Sequence, residues 1–178
     1  MFYNLLNLSK ITFINKDSQI LYEYFSPNAL MLAWKRVVDS TSRFQLLDWF
    51  GHDFMKHNLD ENLNDLSEHI IGGNYKPKRP FKFFQPKKSK TQRTQSILFI
   101  EDAIVYQAIV NRIAYLNYDK IIEFNNISFS SILNENVKLG LKLLDSENKI
   151  DFTFFKDYLP NWNRFKTSIE NEVEEGYT

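Results

Sequence analysis

The chain of 178 residues contains no cysteine, which excludes a disulfide framework, thiolate metal sites and cysteine nucleophiles, and fits a reducing compartment such as the cytoplasm. No apolar run approaches the roughly 20 residues of a membrane span. The opening MFYNLLNLSKITF lacks the basic region and cleavage site of a signal peptide, so a cytoplasmic protein without membrane contact is expected. Net charge is also lacking: 22 basic and 22 acidic residues cancel, so only their distribution can point to a partner. There is no GxSxG elbow and no Gly-rich phosphate loop, which leaves hydrolase and nucleoside-triphosphatase chemistry without an anchor.

What is abundant is aromatic. Sixteen Phe, nine Tyr and three Trp, within 43% apolar residues, exclude a disordered chain and supply one core of ordinary size. Residues 1–25 show no clear period and read as an amino-terminal extension of mixed structure. Ser26-Pro27 is a helix start, followed at helical spacing by Ala29, Leu30, Ala33, Trp34, Val37 and Val38, with an end near Asp39. Met55, Leu59, Leu63, Leu66 and Ile70 predict a second helix stopped by Gly72-Gly73.

Pro77 and Pro80 then impose an extended path. Residues 82–85 and 93–100 read as two strands joined by a polar loop at 87–92. Glu101-Asp102 open a third helix, in which Ile104, Val105, Ala108, Ile109, Ile113 and Leu116 share one side. Residues 124–133 suggest strand or irregular structure, and a last helix starts near 154 or 162 and runs to 175. The fold class expected is helix-rich α+β with a basic antiparallel β-hairpin, in one unit over residues 26–178.

The segment 76–93, KPKRPFKFFQPKKSKTQR, holds Lys76, Lys78, Arg79, Lys82, Lys87, Lys88, Lys90 and Arg93 and no acid. Cations at strand ends and a hairpin tip suit phosphate oxygens, and Phe81, Phe83 and Phe84 could stack on bases or fill the core. Lys and Pro also protect sheet edges from aggregation, so charge alone leaves both readings open.

The order of features is more specific. Gly73, Tyr75 and Pro77, then Pro86-Lys87, Arg93 and Asp102, then Val105, Gln107 and Ala108, resemble the opening of the fingers of bacterial reverse transcriptases. LMLAWKRVVDS and DENLNDLSEHIIGGNY resemble the preceding helices of the abortive-infection and defence-associated branches, so the resemblance covers roughly residues 28–116, with weaker similarity in ISFSSILN and in NWNRFKTSIENEVEEGYT. It implies the helix-rich fingers subdomain of a right-hand polymerase, ending before the palm. In that family Lys87 and Arg93 would hold the triphosphate of the incoming deoxynucleotide, and Lys82, Lys88 and Lys90 would meet RNA template or DNA primer phosphates. Ser89-Lys90 stand where Asp-Gly is common, which bears on the geometry of the tip.

The resemblance further implies Mg2+ in the complete enzyme, held by palm carboxylates and a Tyr-x-Asp-Asp hairpin that this sequence does not contain. No catalytic or metal-binding residue is therefore expected in this chain, no cofactor of its own, and partners in the missing palm and thumb. The alternative is a stand-alone nucleic-acid-binding module, or a protein-interaction module whose basic patch meets an acidic surface such as Glu170, Glu172, Glu174 and Glu175. Asp53, His57 and Glu61, four apart, read as a charged outer face rather than a metal site. His52 and His69 have no companion ligands, and Trp34, Trp49 and Trp162 read as packing residues.

Overall fold

The computed structural model describes residues 16–44, 48–88, 90–126, 131–145, 151–174 and 176. Seven α-helices and a single β-hairpin are present among them: α1 (Lys16–Phe25), α2 (Pro27–Phe44), α3 (Trp49–His57), α4 (Leu59–Ile71), β1 (Phe81–Pro86), β2 (Gln92–Ile97), α5 (Ile100–Leu116), α6 (Tyr118–Ile122) and α7 (Tyr158–Glu174). Two 3-10 segments, Glu123–Asn126 and Glu135–Asp145, lie between α6 and α7. The protein is helix-rich and mixed, with one small antiparallel sheet. Among the described residues no helix is long and apolar enough to cross a membrane.

The core forms where α2 crosses α4 and α5. Leu30, Ala33, Trp34 and Val37 of α2 meet Leu63, Leu66 and Ile70 of α4 and Ile100, Ile104 and Ala108 of α5. Leu30, Leu63 and Ile104 are almost wholly excluded from water, which places them where apolar burial contributes most. Phe25, the last residue of α1, joins the same cluster, and the Ser67 hydroxyl donates to its carbonyl oxygen at 2.7 Å. A second cluster gathers Ala114, Tyr118, Leu133, Val137 and Phe154 at the far end of α5.

Several sequence expectations are corrected. The helix expected across Met55 to Ile70 is two helices, because Asn58 leaves helical geometry (φ −129°, ψ 57°). Met55 nonetheless points into the core from α3. The Asp48 carboxylate caps α3 by accepting from the Gly51 amide at 3.0 Å. The break also divides the Asp53, His57 and Glu61 line between α3 and α4, and all three are exposed.

α2 continues to Phe44, well past Asp39, and the described part of the amino-terminal extension, expected to be of mixed structure, is the helix α1. β2 ends at Ile97 rather than 100, since Ile100 already begins α5. Within 124–133, Phe124 lies in the first 3-10 segment and Leu133 makes an isolated antiparallel bridge to Phe155, while residues 127–130 fall outside the described set. Phe154 is buried ahead of the last helix rather than in it. Of the three tryptophans only Trp34 is a core residue; Trp49 and Trp162 are 64% and 40% exposed.

The turn after α4 follows from its glycines. Gly73 takes φ +72°, where a side chain would be strained, and the amides of Asn74 and Tyr75 both return to the His69 carbonyl at 2.8 and 3.0 Å. That reversal sends residues 74–80 along the start of α5 and into the hairpin.

Candidate nucleic-acid interface

The hairpin pairs Phe81 with Ile97, Phe83 with Gln95, Gln85 with Arg93 and Pro86 with Gln92. Successive strand residues point to opposite faces, so Phe81, Phe83, Gln85, Arg93, Gln95 and Ile97 share one face and Lys82, Phe84, Thr94 and Ser96 the other. At the tip, the Lys87 amide donates to the Thr91 carbonyl at 2.8 Å and the Lys90 amide to the Lys87 carbonyl at 3.1 Å. Lys90 has φ +62°, the left-handed conformation that glycine adopts without strain. The turn thus keeps a geometry suited to glycine while placing a cation there.

Lys82, Lys87, Lys88, Lys90 and Arg93 are all exposed, and none forms an ion pair with a carboxylate among the described residues. Lys87, Lys88, Lys90 and Arg93 come together at the tip. Lys82 does not join them: it lies on the opposite face from Arg93 and five residues before Lys87, about 17 Å along an extended strand.

The root of the hairpin is tied to α5. Asp102, only 7% exposed, accepts from the Tyr75 hydroxyl through one oxygen and from the Lys78 amide at 3.1 Å through the other. Lys78 also pairs with Glu101 at 2.8 Å, with its ammonium 5.4 Å from the centre of the Phe99 ring. Burial, then the bond to Asp102 and its charge, push the Tyr75 hydroxyl well above the ordinary tyrosine range. The hydrogen bond to Glu101 is the largest cause of the upward shift at Lys78. One of the eight cations of the segment is therefore occupied in fastening the arm.

Beside this root lies an apolar groove of about 310 Å3 between Trp49 and Phe50 of α3 and Phe81, Ile97 and Phe99. Phe50 is 91% exposed, and Phe81 and Phe84 are also largely exposed. Phe81 and Phe84 are thus not core residues, whereas Phe83 is half-buried. The contribution of α3 was not anticipated from sequence; the signal was the capping Asp48 directly before Trp49-Phe50.

The acids of α7, Glu170, Glu172 and Glu174, are exposed, and Glu175 lies outside the described residues. Among the described residues no group of three or more His, Asp or Glu could hold a metal ion. Exposed cations at the tip and exposed rings at the root are what the arrangement presents to a partner. No protein-family model, curated protein or solved structure matches the chain.

Proposed function

We propose that the chain is the fingers portion of an RNA-directed DNA polymerase of the kind used in antiphage defence, acting in the cytoplasm. In this reading Lys87 and Arg93 hold the triphosphate of an incoming deoxynucleotide while Lys82, Lys88 and Lys90 meet template and primer phosphates. One observation carries it. Tyr75 and Asp102, which belong to the ordered series behind the resemblance, are joined in space, and their bond fixes the root of an arm whose tip presents Lys87 and Arg93.

Arg93, at the start of β2, suits a two-pronged grip on phosphate oxygens, and Lys87 supplies a mobile charge beside it. The exposed rings at the root offer faces for unpaired bases. Mg2+ would belong to the complete enzyme. The described residues do not form a site for it, so no catalytic step is assigned to this chain.

The exposed face of α5 supports the same reading. Ile100, Ile104, Ala108 and Ala114 are buried, yet Tyr106, Ile109, Ile113 and Leu116, at spacings of three, four and three, remain largely exposed. A helix apolar on both sides is ordinarily covered on both sides, as it would be with a palm subdomain against it.

The test is equilibrium binding of a deoxynucleoside triphosphate and a primer–template to residues 1–178, with Lys87→Ala and Arg93→Ala. Loss of a charge-assisted contact should weaken triphosphate binding about tenfold or more per site, with less effect on the monophosphate. Equal effects on triphosphate, monophosphate and single-stranded nucleic acid, with a steep salt dependence throughout, would favour a stand-alone nucleic-acid-binding module instead. Insensitivity of all binding to both substitutions would refute both and leave a protein-interaction surface.

A further inference from the structure

Much of the apolar side of α7 stands in solvent. Leu159, Trp162, Phe165, Ile169 and Val173 follow one another at spacings of three, three, four and four, which places them along one side of the helix. None of them joins either buried cluster. Leu159, Ile169 and Val173 are 63%, 46% and 62% exposed, so the carboxy-terminal half of this side is open to a partner.

The flanks of that half are acidic. At about 100° per residue, Glu170 and Glu172 fall on opposite sides of the line from Ile169 to Val173, and Glu174 follows one turn after Glu170. All three are exposed, and none pairs with a cation among the described residues. The last turn of α7 holds no basic residue. Carboxylates near the carboxy-terminal end of a helix oppose its dipole, so a cation brought there offsets both the dipole and their mutual repulsion.

A complementary surface exists on the same chain. Residues 76–93 hold eight of the 22 basic residues and no acid. On the hairpin face opposite Phe81, the Phe84 ring is 64% exposed, with Lys82 two residues before it and Lys87 and Lys88 just beyond it at the tip. An exposed ring set between cations thus answers an aliphatic strip set between carboxylates. Within one chain no ion pair joins the two surfaces among the described residues. The chain has zero net charge, so copies repel one another little while their opposite poles attract.

We propose that the hairpin of one copy docks on α7 of a second copy, Phe84 packing against Ile169 and Val173 while Lys82 and Lys88 meet Glu170 and Glu172. The two surfaces differ, so the contact is heterologous: each copy offers one hairpin and one helix. Exposed ion pairs are weak and screened by salt, which makes the association reversible and strongest at low ionic strength. The proposal does not rest on the polymerase reading, since it needs neither nucleotide nor nucleic acid and leaves Arg93 out of the contact.

The test is analytical ultracentrifugation of the full chain without nucleic acid, from about 0.05 to about 0.5 M salt, a range that shortens the screening length roughly threefold. Self-association should appear at low salt and weaken about tenfold or more across that range. Glu170→Lys with Glu172→Lys, and separately Lys82→Glu with Lys88→Glu, should each abolish it. Mixed together, these two altered proteins should associate with one another, because each keeps the surface that the other has lost. Asp65→Lys with Glu68→Lys, at exposed positions of α4, changes net charge as much as the first pair and should retain self-association. Phe84→Ala should weaken association about fivefold or more. A chain that stays monomeric in low salt at about 0.1 mM, self-association by either reversed protein, or a mixture that stays dissociated would each overturn the proposal. Should a reversed protein fail to fold, the salt dependence of the unaltered chain and the effect of Phe84→Ala decide alone.

Discussion

Replacing Tyr75 by Phe deletes a single hydroxyl at the root of the hairpin and leaves the ring in place. The lost bond is to a carboxylate that is 7% exposed, and Asp102 keeps its second bond, from the Lys78 amide. Hydrogen bonds to charged groups contribute about 1.5–3 kcal/mol. Tyr75 is only half-buried, so water can partly replace its hydroxyl, which reduces the expected loss to about 1–2 kcal/mol. For a chain of this size that corresponds to a fall of about 2–8 °C in unfolding temperature.

The effect has a pH signature as well. In the folded chain the Tyr75 hydroxyl holds its proton to higher pH than the ordinary tyrosine value of 10.0. Above that value the folded state therefore binds more protons than the unfolded state, and stability declines as pH rises. The contribution is complete below about pH 9 and disappears as the pH climbs through the raised folded value. Thermal unfolding followed by circular dichroism at pH 7.5 and pH 10.5 should show a smaller difference between the two proteins at the higher pH. A Tyr75→Phe protein that melts with the wild type at pH 7.5, or that differs from it by the same amount at both pH values, would refute the account of the clamp.

Leu63→Ala removes a side chain that is 1% exposed at the α2–α4 contact and should cost about 2–5 kcal/mol in urea unfolding; a cost below 1 kcal/mol would mean that the core is not close-packed there. Gly140→Ala should destabilise by about 1–3 kcal/mol, because Gly140 has φ +54° and ψ −132° and an added Cβ would stand 3.0 Å from the Tyr115 ring. Wild-type stability for that variant would mean that the 3-10 segment is not held against α5. The Lys156–Glu135 pair holds the Glu135 carboxyl below its ordinary range, so its contribution is present above about pH 4.5 and fades as the pH falls through the lowered value. Lys156→Ala should therefore bring the Glu135 pKa, read by nuclear magnetic resonance, back to the ordinary carboxylate range, and an unchanged value would dismiss the pair.

Sequence periodicity conveyed much of the α2–α4–α5 core but wrongly grouped the exposed Ile109, Ile113 and Leu116 of α5 with the buried Ile104 and Ala108. Ala33, Trp34, Leu63, Leu66, Ile70, Ile104 and Ala108 all occupy that core, because helical spacing and burial are directly linked. Periodicity did not reveal the break at Asn58. Met55 and Leu59 keep a spacing of four across it, and the change in backbone angles leaves the buried stripe nearly continuous. It also hid the second 3-10 segment, whose direction changes at Gly140, and whose Asn136 is held by the carbonyls of Asp151 and Thr153, contacts far away in sequence. The hairpin was legible because its prolines, cations and polar loop are local signals. The α3 side of the groove was not, since only tertiary packing brings Trp49 and Phe50 to Phe81.

A two-stranded hairpin is at best marginally stable alone, and here it is long enough to hold its tip about 17 Å from its root. The position of Lys87 and Arg93 is therefore set less by the strands than by what fixes their base. Asp102 does so from the first turn of α5, and the same helix buries Ile104 and Ala108 against α2 and α4, presents Asn111 to Arg36, and carries Ala114 into the second cluster. A displacement of α5 would disturb the core at several points before it moved the arm. At the root of the arm, two hydrogen bonds to Asp102, the Lys78–Glu101 pair and the contact of Lys78 with the Phe99 ring tie it to α5 and the residue before it. The position of the tip cations therefore depends on the contacts that Tyr75 and Lys78 make with the first turn of α5.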